Sequence, residues 1–171
     1  MKATILSLAF VASTAYAMPT DQDPTQLEVS SPAFNANQPI PAEYTCDGAG
    51  TSPAMNWSTP PAGTRSVAVL AEDTDAPNGV FTHWLLTDIN PRMTHLAKGG
   101  AIPAGAFSVN NDKGKPGYTG PCPSDGTTHH YHFHVYALDV VLDKAMTHSA
   151  FASAIQGHVL AQGELVGTFE K

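Results

Sequence analysis

Short apolar runs, broken by Pro and Gly, organise this chain from residue 27 onward. A continuous Val-rich run over residues 66–71 predicts a strand buried on both faces. Phe81–Ile89 is a second such run, and residues 131–142 form a third, longer one. Leu27, Glu28 and Val29 alternate and suggest a first strand, while residues 163–169 alternate again as a last one. One stretch has a helical period. Phe151, Ala154, Ile155, His158, Val159 and Gln162 recur at three- and four-residue steps, with Thr147 placed to cap the helix and Gly163 to end it. Residues 35–64 are mostly Pro, Asn, Gly, Ser and Thr, with Trp57 as the main apolar anchor. No internal repeat or low-complexity tract interrupts this order. Short strands with structured Pro/Gly connections predict one mainly β, sandwich-like domain with a few short helices.

The first residues stand apart. Lys2 precedes an almost wholly apolar or small stretch over residues 3–14, and Ala15-Tyr16-Ala17 supplies the small-x-small pattern of a signal peptidase site. Residues 1–17 are therefore expected to be a signal peptide, 18–26 a polar flexible leader, and 27–171 the folded domain. That arrangement implies export, to the periplasm or the extracellular space. No later run approaches the length of a membrane span, so no integral membrane segment is expected.

Charge narrows the partners. The formal net charge is −7, and the few Lys and Arg residues are scattered. Nucleic acid is excluded as a partner, because its phosphates demand a basic face. An anionic ligand would have to be attracted by local geometry against the overall field. The two cysteines, Cys46 and Cys122, lie in Gly/Pro-rich loops. In an exported chain they read as one disulfide, with two free thiols as the competing reading. Such a bridge would close a loop of roughly 75 residues and contribute about 4–5 kcal/mol in the chain-entropy picture.

Three segments beside predicted strand ends carry candidate chemistry. Asp73-Thr74-Asp75-Ala76-Pro77 follows the first long strand, and in extended backbone its two carboxylates would share a side. His83 opens the second long strand. The third segment runs from Gly117 through Gly120-Pro121-Cys122-Pro123 to His129-His130-Tyr131. Upstream stands Ser52-Pro53-Ala54-Met55-Asn56-Trp57.

Taken together and in this order, these motifs resemble the phosphatidylethanolamine-binding protein family, in its bacterial Raf kinase inhibitor-like branch. The resemblance spans nearly the whole chain after the leader. It includes Ser31-Pro32-Ala33-Phe34, Tyr44-Thr45-Cys46-Asp47-Gly48, His83-Trp84, Lys115-Pro116-Gly117-Tyr118 and the closing Glu164-Leu165-Val166-Gly167-Thr168-Phe169. It implies a β-sandwich with a shallow pocket for phosphate-like anions or phosphorylated headgroups. Carried over residue by residue, the pocket wall would be Asp73, Asp75, His83, Pro123, His129 and Tyr131. The resemblance also implies a binding protein that is not an enzyme, needs no cofactor and modulates a protein partner such as a kinase or protease. It leaves a homodimer open.

His83 and His129 can donate hydrogen bonds and become cationic beside a bound anion, and Tyr131 adds a hydroxyl. Asp73 or Asp75 would then accept from a histidine and favour its charged form. Three positions depart from the family pattern. Thr74 replaces a usual Pro, His130 a usual Arg, and Lys113 a common aromatic. The change at His130 removes a permanent charge near the expected pocket.

Two rival readings stay on the page. His130, His132 and His134 share one face of the predicted strand and could ligate zinc or copper, with an open position for hydrolysis. Alternatively the chain is a protein-interaction module with a vestigial pocket. A serine hydrolase is disfavoured because no G-x-S-x-G element occurs.

Overall fold

The computed structural model describes residues 24–171; the expected signal peptide and most of the leader lie outside them. In chain order the strands are β1 (Thr25–Gln26), β2 (Val29–Ser30), β3 (Gln38–Pro39), β4 (Met55–Trp57), β5 (Ser66–Asp73), β6 (Phe81–Ile89), β7 (His95–Leu96), β8 (Phe107–Val109), β9 (His129–Leu138) and β10 (Val159–Phe169). Among the described residues one α-helix, α1 (Phe151–Ile155), sits between β9 and β10.

The three apolar runs become β5, β6 and β9, which form the middle of a seven-stranded sheet with the path β1-β10-β9-β5-β6-β8. All pairings from β10 to β8 are antiparallel, and β1 and β3 each add to β10 in parallel. A small sheet, β2-β4-β7, supplies Met55, Trp57 and Leu96 to a core shared with Val67, Val69, Ala71, Trp84, Leu86, Tyr131, Phe133 and Val135 of the large sheet. The opposite face of the large sheet has its own, smaller core, where Ala68, Leu70, Leu85 and Leu138 meet Phe151 and Ile155 of α1. Both faces of β5 are therefore covered, which is why its sequence is continuously apolar rather than alternating. The architecture is mainly β with short helical pieces, as the sequence predicts.

Two boundaries differ from expectation. Thr25 and Gln26, expected in the leader, pair with Ala161 and Gln162 of β10. The helix expected from Thr147 to Gly163 is only α1, preceded by a 3-10 turn over His148–Ala150. Gly157, with φ of 77°, turns the chain out of the helix, and from Ala161 the burial pattern has period two. Gly163 is not a helix end. It lies in β10 where Leu27 crosses so closely that a Cβ would collide with the Leu27 carbonyl.

Candidate functional site

The C-terminal end of β5 and the N-terminal ends of β6 and β9 meet at one edge of the large sheet. Asp73 stands opposite Phe81 on one side and opposite Tyr131 on the other. The register of β5 on β6 shifts between Ala71 and Glu72, whose partners are Trp84 and Thr82, so His83 is the extra residue of a β-bulge. A bulge re-aims a side chain out of strict alternation. Here it lets His83 join Phe81 in the wall of a cavity of about 140 Å³, while Trp84 still enters the main core.

Of the six pocket residues expected from sequence, Asp73, His83, Pro123 and His129 line this cavity. Tyr131 lies buried beneath it, edge-on to His83 at 5.3 Å and stacked near His129 at 6.4 Å between ring centroids. Burial, with the Asp73 carboxylate adding to it, pushes the Tyr131 hydroxyl far up, and among the described residues that buried hydroxyl has no hydrogen-bond partner. Asp75 lies outside the cavity wall. The strand ends at Asp73, the chain bends, and the Asp75 amide donates to Asp73 Oδ1 at 2.9 Å. The two carboxylates therefore do not share a side. Asp75 instead accepts from the His130 amide at 2.8 Å and from His130 Nδ1 at 2.7 Å on the exposed rim. The hydrogen bonds from His130 hold the Asp75 pKa below its usual value.

The pKa values of the two cavity histidines are shifted in opposite directions. His83 Nδ1 donates to the Thr119 carbonyl at 2.7 Å, which leaves Nε2 as the unpaired ring nitrogen. Burial lowers the His83 pKa, outweighing the Thr119 carbonyl and the Asp73 carboxylate, so the ring is neutral at pH 7. His129 donates through Nδ1 to Asp73 Oδ2 at 2.7 Å and through Nε2 to Asp125 Oδ2 at 3.1 Å. Burial opposes its charge, but the Asp73 and Asp125 hydrogen bonds prevail and raise its pKa. Asp73, only 4% exposed, thereby gains a hydrogen-bonded partner whose charged form it favours, in a place where a lone carboxylate would be costly.

Sequence reasoning missed three members of this site. Lys113 lines the cavity with its Nζ 5.6 Å from the Phe81 ring centroid and brings a positive charge to its wall. Its presence where an aromatic is common was the available signal. Asp125 sits in a turn four residues before His129 and left no trace beyond its Asp-Gly dipeptide. Asn111, 1% exposed, ties the surrounding loops together: its amide donates to the Gly117 carbonyl at 3.0 Å and to Thr119 Oγ1 at 3.1 Å, and its Oδ1 accepts from the Lys113 amide.

A covalent tie supports the same loop. Cys46 and Cys122 form a disulfide with Cα atoms 5.4 Å apart, and the Cys46 amide donates to the Pro121 carbonyl at 3.0 Å. Gly120 packs so closely on residues 44–45 that a Cβ would lie 2.9 Å from the Tyr44 carbonyl oxygen. The loop that positions Thr119 against His83 is thus fixed on its far side.

Comparison with known proteins agrees with this constellation. The profile of the phosphatidylethanolamine-binding protein family matches residues 30–170. The chain belongs to this family. Among family relatives, a UPF0098 protein of Chlamydia muridarum is 38% identical over 154 residues, covering 85% of this chain and 99% of that protein. A Mycobacterium tuberculosis protein named as a candidate lipoprotein, LppC, is 43% identical over 147 residues, covering 84% of this chain and 72% of the relative. The crystal structure of CT736 from Chlamydia trachomatis, described as a phosphatidylethanolamine-binding protein homologue, superposes with a TM-score of 0.79 at 37% identity. It covers 86% of this chain and 99% of its own. Escherichia coli YbcL, described as a member of the mammalian family, also superposes at 0.79, with 29% identity and the same coverage. Among the described residues no helix is long and apolar enough to cross a membrane.

The expected histidine cluster on the other face of β9 is only partly formed. His132, His134 and Glu164 converge, whereas His130 is drawn away to Asp75.

Proposed function

We propose that this family member is an exported, non-enzymatic binder of small phosphate-like anions, including phosphorylated headgroups, and that it binds them in the cavity beside His83 and His129. One observation carries the reading: His83, tied through Nδ1 to the Thr119 carbonyl, turns its unpaired Nε2 into a small cavity that also holds His129 and Lys113, and this nitrogen donates to an anion once it takes up a proton. A volume of about 140 Å³ is below the roughly 300–1,000 Å³ of drug-sized pockets, which favours a headgroup or free anion over a lipid body. Lys113 brings a positive charge to the wall, against a net charge of −7 that would otherwise repel such a ligand.

The non-enzymatic part rests on the state of the same residues. His129 has both ring nitrogens on carboxylates and has no free position to accept a proton. Ser124, a hydroxyl in the cavity wall, has no hydrogen bond to either histidine, so the described cavity wall does not pair a nucleophile with a base. Export is supported by the lipoprotein designation in the name of the relative LppC and by the Cys46–Cys122 bridge, a feature of oxidising compartments.

A thermal-shift screen with inorganic phosphate, phosphoryl-ethanolamine and nucleotides tests the proposal. At 100 times its dissociation constant a ligand adds about 2.7 kcal/mol of apparent stability. Phosphate or phosphoryl-ethanolamine should give such a gain, and His83→Ala should remove it. A stability unmoved by any of these ligands, or an equal gain in the His83 variant, sinks the reading.

A further inference from the structure

We propose that the sheet face opposite the anion cavity carries a binding site for a borderline divalent cation, Zn²⁺ or Cu²⁺, built from His132, His134, Glu164 and Glu72. These four residues come from three adjacent strands. Glu72 of β5 stands opposite His132, and Glu164 of β10 stands opposite His134. In antiparallel pairs, directly opposed residues point to the same face. His132 and His134, two residues apart on β9, share that face. The donor set is thus fixed by backbone register in the middle of the large sheet rather than by loops.

One donor atom from each of His132, His134 and Glu164 lies within 4.8 Å of the others. Tetrahedral zinc with bonds of about 2.0–2.2 Å needs donors about 3.4 Å apart, so small side-chain rotations close the site. Glu164 Oε1 already accepts from His132 Nδ1 at 2.6 Å. The same oxygen is 3.6 Å from His134 Nε2, and Glu72 Oε1 is also 3.6 Å from that nitrogen. His134 therefore faces two carboxylates and hydrogen-bonds to neither. Two carboxylates thus gather around two imidazoles on one sheet face, an arrangement that a dication would satisfy.

Access is open. α1 covers this sheet face as far as Tyr136, whose ring meets Phe151 at 5.6 Å, and the covering stops there. The His132 and His134 side chains keep 24% and 22% exposure, and Glu164 keeps 41%. Imidazole nitrogens favour Zn²⁺ and Cu²⁺ over Mg²⁺ or Ca²⁺, which prefer all-oxygen shells. The site is separate from the anion cavity, because His129 and Tyr131 have the opposite parity on β9.

Isothermal titration of tag-free protein with ZnCl₂ tests the proposal, with MgCl₂ as the control ion. The expected result is saturable uptake of one Zn²⁺ per chain and no response to Mg²⁺. His134→Ala and Glu164→Gln should each weaken Zn²⁺ binding by more than about tenfold, the loss that even outer-shell partners can cause. His158→Ala, which removes a histidine paired with Asp139 elsewhere, should leave it unchanged. Glu164→Gln is close to isosteric on an exposed side chain, so it reads the site even if His134→Ala fails to fold. No zinc uptake, or uptake that survives Glu164→Gln undiminished, overturns the proposal. Any thermal response to phosphate should persist in Glu164→Gln, so failure of this site and failure of the anion cavity give different results.

Discussion

Asp125 covers the ring nitrogen of His129 that Asp73 does not hold: its carboxylate accepts from Nε2 at 3.1 Å. In the cavity, the imidazolium that would meet an anion is already engaged by an anion of the protein's own. Asp125 is part of an exposed turn, whereas Asp73 is fixed at the end of β5. A bound phosphate can therefore replace Asp125 and not Asp73. Asp125→Asn should tighten phosphate binding by about two- to fivefold, the scale of an exposed ion pair. Isothermal titration at fixed ionic strength checks this. Weaker binding in the variant would show that Asp125 supports the ligand rather than competing with it.

The opposed states of the two histidines can be read directly by NMR of their ring nuclei. His129, with its pKa raised, should hold its proton above pH 6.5, and His83, with its pKa lowered by burial, should stay neutral below pH 6.5. The stability each contributes follows with opposite sign. The contribution of His129 is full below the unfolded value of about 6.5 and is lost as pH rises through the raised folded value. That of His83 is present above about 6.5 and is lost as pH falls through its depressed value. Asp125→Asn should move the His129 titration to lower pH and leave His83 in place. Two histidines that titrate together near 6.5 would contradict the assigned partners.

Anion binding should be proton-linked for the same reason. With Nδ1 donating to Thr119, the neutral His83 offers a lone pair at Nε2, and it can donate to an anion only after gaining a proton. Phosphate affinity should therefore rise as pH falls toward the depressed His83 value, and titrations in buffers of different ionisation enthalpy should register proton uptake. Flat affinity from pH 5 to 8 would rule out His83 as a donor.

The expected pocket was legible where it depended on side-chain identity and lost where it depended on backbone path. Asp73, His83, Pro123 and His129 converge as their motifs imply. Asp75 does not, because same-side placement of residues two apart holds only while the strand continues, and the chain bends immediately after Asp73. The β-bulge at His83 could not be read from composition, since it is a property of pairing between two strands. The longer helix failed on a related ground. Its three- and four-residue spacing coincided with apolar positions of β10, and burial against Leu27 and β9 decided for the strand. Lys113 was visible as an oddity but had no reason to be placed in the wall until Asn111 was seen to hold its backbone there.

Breaking the buried pair should cost stability as well as affinity. Asp73→Asn leaves His129 buried with only the exposed Asp125 as its anionic partner. Loss of one member of a buried pair commonly costs about 3–5 kcal/mol, and the ability of His129 to shed its proton brings the expected loss to about 2–3 kcal/mol. Urea denaturation at pH 7 measures it. The loss should shrink at high pH, where His129 is neutral in both proteins. A variant as stable as the parent at pH 7 would mean that the pair is not formed in solution.

The Cys46–Cys122 bridge links the stability of the fold to the shape of the site. It closes a separation of 76 residues and anchors the loop whose Thr119 carbonyl holds His83. Replacing both cysteines by Ala should cost about 4–5 kcal/mol through the unfolded chain. That entropic effect alone would leave the native cavity unchanged. Gly120→Ala acts on the native side, because its new methyl would crowd the Tyr44 and Thr45 backbone and push the loop outward. Gly120→Ala should therefore weaken phosphate binding more than the double Cys→Ala variant at a temperature where both are folded. Thermal melts with and without phosphate separate the two effects. Equal phosphate gains in the Gly120 variant and the parent would mean that the Thr119 carbonyl does not set the orientation of His83.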